Sequence, residues 1–113
     1  TRVYPTITVK LVYPEQVGGE EVDEVVLRPL KLGEEMELSR KYQPGSPDHL
    51  FWTTFKRIVR FGHLEKVDPE AVRSMLRPNF DLLVEAGIAI DRGYTDLDAF
   101  RNSAEYKRLF GGA

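Results

Sequence analysis

The chain has 113 residues, 42% hydrophobic and 30% charged, with a net charge of −2, two histidines and no cysteine. That length builds one hydrophobic core rather than two, and the balance suits a folded domain rather than a disordered segment. The composition excludes disulfides and thiolate metal sites and gives no overall basic field for nucleic acid or an anionic membrane. No apolar run reaches the ~18–20 residues needed to span a bilayer, and no signal-peptide pattern opens the sequence. The expectation is a small soluble intracellular domain whose start, Thr1 without a Met, has been processed or trimmed.

Ile7, Val9, Leu11 and Tyr13 alternate with Thr6, Thr8, Lys10 and Val12, the two-residue period of a strand. Residues 22–28 form a second run with Val25 and Leu27 on one face, and Gly18-Gly19 supplies the positive φ of a tight connection. Pro14 is expected to end the first strand, because it donates no ladder hydrogen bond. A two-stranded hairpin over residues 6–28 is marginal alone and needs cover. Its first edge carries only Lys10 as a charge, so self-association is expected through Ile7, Val9 and Leu11.

Residues 31–42 predict a short helix, with Glu34, Glu35 and Glu37 early and Arg40 and Lys41 late, and with Leu32 and Met36 facing inward. After a break at residues 43–48, Ser46-Pro47 starts the most apolar helix, residues 49–61. Its inward stripe is Phe51, Phe55, Ile58 and Gly62, with Trp52 and Val59 beside it and Lys56, Arg57 and Arg60 outside. Asp68-Pro69 opens another helix to about Met75, carrying Val72 and Met75. Pro78 opens a further one to Ala86, with Phe80, Leu83 and Val84 inward. Beyond Asp91, Thr95 and Asp98 read as a capping box, and Leu97, Phe100, Ala104 and Leu109 as a weak amphipathic helix before the closing Gly-Gly-Ala. The fold class is therefore α+β, an N-terminal β-hairpin packed on a bundle of four to five short helices.

Chemistry has little to work with. The acids at Glu20, Glu21, Asp23 and Glu24 and at Glu34, Glu35 and Glu37 lie in a polar loop and a helix first turn, where nothing apolar perturbs them. His49 and His63 stand fourteen positions apart, without metal-ligand spacing. No serine sits in a Gly-x-Ser-x-Gly elbow, and Gly18-Gly19 is not followed by a phosphate loop. No enzyme, metal or cofactor is expected. A nucleic-acid module would use Lys56, Arg57 and Arg60 with Trp52 and Phe61, against an acidic balance and without a dense basic stripe.

Several residues carry a family resemblance: Ile7 to Leu11, then Val25-Val26-Leu27-Arg28-Pro29, Leu32-Gly33-Glu34, Leu64, Val67-Asp68-Pro69-Glu70 and the apolar run from Phe80 to Val84. In this order, with a Trp/Phe-rich helix between, the chain resembles the small tail assembly chaperones of contractile-tailed, Mu-like phages and prophages. The resemblance is one of element order and covers about residues 7–90. It implies a chaperone-like domain over residues 1–90 (hairpin 6–28, helices 31–86) and a C-terminal helical extension, 91–113, outside the family pattern. It also implies a non-enzymatic protein of the bacterial host cytoplasm that holds the helical tape measure protein while the tail tube grows. The implied partners are the tape measure protein and further copies of the chain, with a longer frameshifted product in many members, and neither nucleic acid nor membrane. A structural component of the tail or injection machine is the alternative. Large aromatics and adaptable methionines suit a surface that accepts many helical segments, so Met36, Phe51, Trp52, Phe55 and Met75 are the expected client contacts.

Overall fold

The computed structural model describes residues 5–111, so Thr1 and the closing Gly112-Ala113 lie outside the described residues. Strands β1 (Ile7–Val17) and β2 (Glu20–Leu27) form an antiparallel hairpin. Gly18 and Gly19 make its two-residue turn at φ of 59° and 81°, the conformation that matches the strands' own twist. Pro14 does not end β1. Pairing lapses after Lys10↔Glu24 and resumes at Glu15↔Val22, so residues 11–14 stand opposite Asp23 alone. Pro14 sits inside this bulge, where no ladder donor is required of it.

The bulge is held from outside the sheet. Asn79, wholly buried, accepts from the Tyr13 N–H at 3.1 Å through Oδ1 and donates to the Tyr13 carbonyl at 2.8 Å through Nδ2. Its amide thus takes the place of a neighbouring strand. The same Nδ2 donates to Glu15 at 2.5 Å, and the Leu76 N–H donates to that carboxylate at 2.9 Å.

Helix α1 (Leu32–Lys41) follows, then α2 (Pro47–Arg57). The expected continuation of α2 to residue 61 is not formed. Ile58 turns to extended backbone, and Ile58–Phe61 becomes a third strand, β3, paired to β2 through Val25↔Phe61 and Val26↔Arg60. β-Branched Ile58 and Val59 suit a strand, and the bare edge of β2 needs backbone partners that a longer helix would deny it. The sheet order is β1-β2-β3. At Gly62 φ is +66°, and a Cβ there would lie 3.2 Å from both Val22 methyls, so only glycine ends the strand at this point.

Short α3 (Pro69–Arg73) leads to α4 (Arg77–Asp91), which packs across β1 and β2. α4 runs past its expected end at Ala86 and through Gly87. Glycine stands inside the helix because of a close approach: a Cβ at Gly87 would lie 2.9 Å from Nε and 3.0 Å from Cδ of Arg57. Arg57, placed on the outer surface by the sequence pattern, is in fact buried and forms two parallel bonds to Asp91 at 2.7 and 2.6 Å.

The core joins Ile7, Val9, Val25, Leu27 and Phe61 of the sheet to Leu83, Ala86 and Ile90 of α4. Burying side chains of this size stabilises by about 1.5–3 kcal/mol each. Leu97 and Phe100 belong to the same core, so the segment after residue 90 is built into the domain at that point. They lie on α5 (Leu97–Arg101), capped by Asp96, which accepts from the Asp98 N–H, rather than by Thr95. The single tail helix expected is broken at Asn102-Ser103. Ser103 starts α6 (Ala104–Tyr106), which passes into a π-helical turn at Lys107–Gly111. Ser and Asn favour caps over helix interiors, which accounts for the break. Among the described residues no helix is long and apolar enough to cross a membrane.

Candidate functional site

An aromatic cluster is built on α2. Ser46 caps the helix by accepting from the His49 N–H at 3.1 Å, and Pro47 fixes its first turn. Phe51 and Phe55, one turn apart, stack at 6.2 Å. Trp52 meets both edge-on, at 5.0 and 5.7 Å. Tyr42, at the end of α1, stacks on Trp52 at 6.0 Å, and Phe80 of α4 stacks on Phe51 at 6.3 Å. Rings in these offset and edge-on arrangements gain about 0.5–1.5 kcal/mol per pair beyond their burial.

α3 adds a cation. The Arg73 guanidinium lies over Phe51 at 4.7 Å and over Trp52 at 5.3 Å from the ring centroids. Below it opens a cavity of about 380 Å³ lined by Phe51, Val72, Arg73, Met75, Arg77 and Phe80. Arg77 also borders a second groove of about 340 Å³, where Leu50, Val84 and Ile88 meet Tyr106 and Phe110 of the C-terminal segment. The two depressions therefore share a wall at Arg77, and apolar side chains run from Met75 past Arg77 to Phe110, flanked in the second groove by Asp81 and Glu85. A wider cavity of about 560 Å³ at the hairpin end mixes apolar side chains such as Val17, Leu64 and Val67 with the charged Glu15, Lys66, Asp68 and Glu70.

Of the expected client contacts, Phe51, Trp52 and Phe55 come together in the ring cluster, half-buried, and Met75 closes the cavity beside Phe51. Met36 does not face inward as the sequence pattern predicts. It is 50% exposed on α1, with Leu32 four residues earlier at 72%, and α1 buries no residue. Ile7, Val9 and Leu11 are buried on the inner face of the sheet. β1 is an outer strand, so pairing along it runs through backbone groups and not through those three side chains. The cationic face suggested for nucleic acid is not assembled, because Arg57 is buried against Asp91 and Phe61 is wholly buried.

Sequence reasoning missed Arg73, Arg77, Tyr42 and Phe80 as members of the site. Phe80 read as core, and nothing in the spacing of α3 tells that Arg73 folds back over α2. Elsewhere the electrostatics are structural. Arg28 donates to both Glu34 oxygens, at 2.9 and 2.8 Å, and Lys31 N–H donates to one of them at 2.9 Å. The Arg28 bond above all, then the Lys31 bond, lowers the Glu34 carboxyl from an ordinary 4.5 to about 2. His63 Nε2 sits 2.5 Å from Glu20, at the hairpin end. Among the described residues no three His, Asp or Glu side chains gather as a metal ion would require. No family model matches the chain, and no curated protein or solved structure matches it.

Proposed function

We propose that the protein is a non-enzymatic binding module that holds amphipathic helical segments on the aromatic face of α2. The observation that carries this reading is the half-exposed cluster of Tyr42, Phe51, Trp52 and Phe55 beside an open cavity closed by Met75 and Phe80. Aromatic rings present large contact area at small entropic cost, and a thioether adapts to differing partners. An apolar track bordering a short helix accepts the i, i+4, i+7 face of another helix. With the resemblance of residues 7–90, the reading becomes specific. The client is the tape measure protein of a contractile phage tail, and the protein acts in the host cytoplasm while the tube polymerises.

The test is co-purification with the tape measure protein produced from the same tail gene cluster. Trp52→Ala should abolish capture while circular dichroism shows the fold intact. Capture lost only in step with folding would show Trp52 to be core. Presence of the protein in finished particles at a stoichiometric level would point to a structural component instead.

A further inference from the structure

The cavity beside Phe51 is apolar except for two cations, and this fixes the chemistry of what it takes. Arg73 and Arg77 line it, and no acid does. Their acidic partners lie on the flanks. Arg73 Nη1 donates to Glu70 at 2.8 Å, and Arg77 Nε donates to Asp81 at 2.8 Å. A guanidinium carries five N–H donors in a planar fork, so each of these bonds fills one and leaves the remainder to water. Both side chains are well exposed, 46% and 76%, and exposed pairs three or four residues apart hold their partners weakly. Arg73 is nevertheless oriented, because its guanidinium carbon lies over the Phe51 and Trp52 rings at 4.7 and 5.3 Å.

A helix laid across this cavity strips water from both guanidinium groups. If it offers only apolar side chains, the unfilled donors go unpaired in a drier setting, which costs free energy. If it places carboxylates beside its apolar stripe, the forks are filled by the strong charge-assisted kind of bond. We infer that the occupant of this site is an amphipathic helix whose apolar stripe is flanked by Asp or Glu, with the apolar anchor in the Phe51–Met75–Phe80 cavity and the carboxylates on Arg73 and Arg77. This rests on the reading that the aromatic face binds helices, and it names the class of helix.

The probes are two synthetic helical peptides without tryptophan that share one Leu/Ala stripe and differ only in their flanking residues, all Glu or all Lys. The chain's one tryptophan, Trp52, reports binding by its fluorescence. The Glu peptide binds at least about tenfold tighter at low salt, as expected for one well-formed carboxylate–guanidinium pair, and the margin narrows as salt is raised. This preference runs against the protein's net charge of −2, which by itself favours the Lys peptide. In the double variant Arg73→Gln, Arg77→Gln the two affinities converge. Equal binding by the wild-type protein, or preference for Lys, overturns the inference and leaves helix binding standing. A preference that survives in the double variant overturns the assignment to these two arginines. Failure of both peptides to bind removes the helix-binding reading itself. Single-stranded DNA, which brings anions and no apolar stripe, should leave Trp52 unchanged, and tighter binding by DNA than by the Glu peptide would also overturn the inference.

Discussion

Gly87→Ala isolates the contact that joins α2 to α4. In a free helix this change is favourable by about 0.8–1 kcal/mol, because alanine restricts the unfolded chain and glycine does not. Here the new methyl would lie 2.9 Å from Arg57 Nε and 3.0 Å from Cδ. Those atoms cannot swing clear, since the guanidinium beyond them is fixed by two bonds to Asp91 at 2.7 and 2.6 Å. Overpacking of this kind costs about 1–3 kcal/mol, and loosening a mostly buried ion pair adds to it. Asp91 is 36% exposed and regains water, so the highest penalties for an orphaned charge do not apply. After the helix gain is subtracted, overpacking alone leaves about 0–2 kcal/mol, and about 1 kcal/mol from the loosened ion pair brings the net loss to about 1–3 kcal/mol, or roughly 4–12 °C in Tm for a domain of this size. Urea unfolding followed by circular dichroism measures it. In an Arg57→Met background the same change should become neutral or stabilising, giving a coupling of at least about 1 kcal/mol. If Gly87→Ala is as stable as the parent, or costs the same with and without Arg57, the close approach is not what demands glycine.

Three other sets of contacts can be tested in the same way. Glu34→Gln should cost on the order of 1 kcal/mol at neutral pH. Because the folded carboxyl is depressed to about 2 from 4.5, this stabilisation is complete above 4.5 and fades as pH falls toward 2, so the two unfolding curves should merge there; a gap that stays constant with pH would refute the ion pair. Asn79→Ala leaves Tyr13 and Glu15 without their amide partner and should lower stability by about 2–3 kcal/mol, checked by urea titration; an effect under about 0.5 kcal/mol would mean that the bulge needs no support. Truncation after Ile90 removes Asp91, Leu97 and Phe100 and should unfold the domain, whereas truncation after Ser103 keeps those residues and should leave it folded. A folded 1–90 fragment by circular dichroism would refute the first half, and an unfolded 1–103 fragment the second.

The sequence made the hairpin legible because three independent signals agreed: a period of two, β-branched residues, and a Gly-Gly pair that only a tight turn requires. The cap-plus-proline starts at Ser46-Pro47 and Asp68-Pro69 were legible for a similar local reason. β3 was not, since residues 58–61 continue a helical apolar period and only the bare edge of β2, distant in sequence, pulls them into a strand. The end of α4 was misread because glycine ordinarily marks a helix terminus. Here Gly87 answers instead to Arg57, thirty positions earlier. In the site, the aromatic and methionine residues stood out by type. Which of them meet was not readable, because Arg73 and Phe80 reach Phe51 through tertiary packing that leaves no spacing rule behind.

The Arg57 lock bears on binding as well as stability. α2 is fixed at its start by the Ser46 cap and at its end by Arg57 reaching across Gly87 to Asp91. Between those anchors Phe51 and Phe55 are held against α4 through Phe80, so the ring cluster is set by the fold itself. A preformed apolar surface avoids much of the ordering cost of association, which suits the capture and release proposed for this face. α1 differs: it buries no residue, exposes Leu32 and Met36, and meets the cluster through Tyr42 on Trp52. A helix with so few buried contacts opens more readily than the core. The rigid part of the proposed site is thus the cavity between α2, α3 and α4. α1 is the less anchored element beside it, with Met36 exposed on its surface.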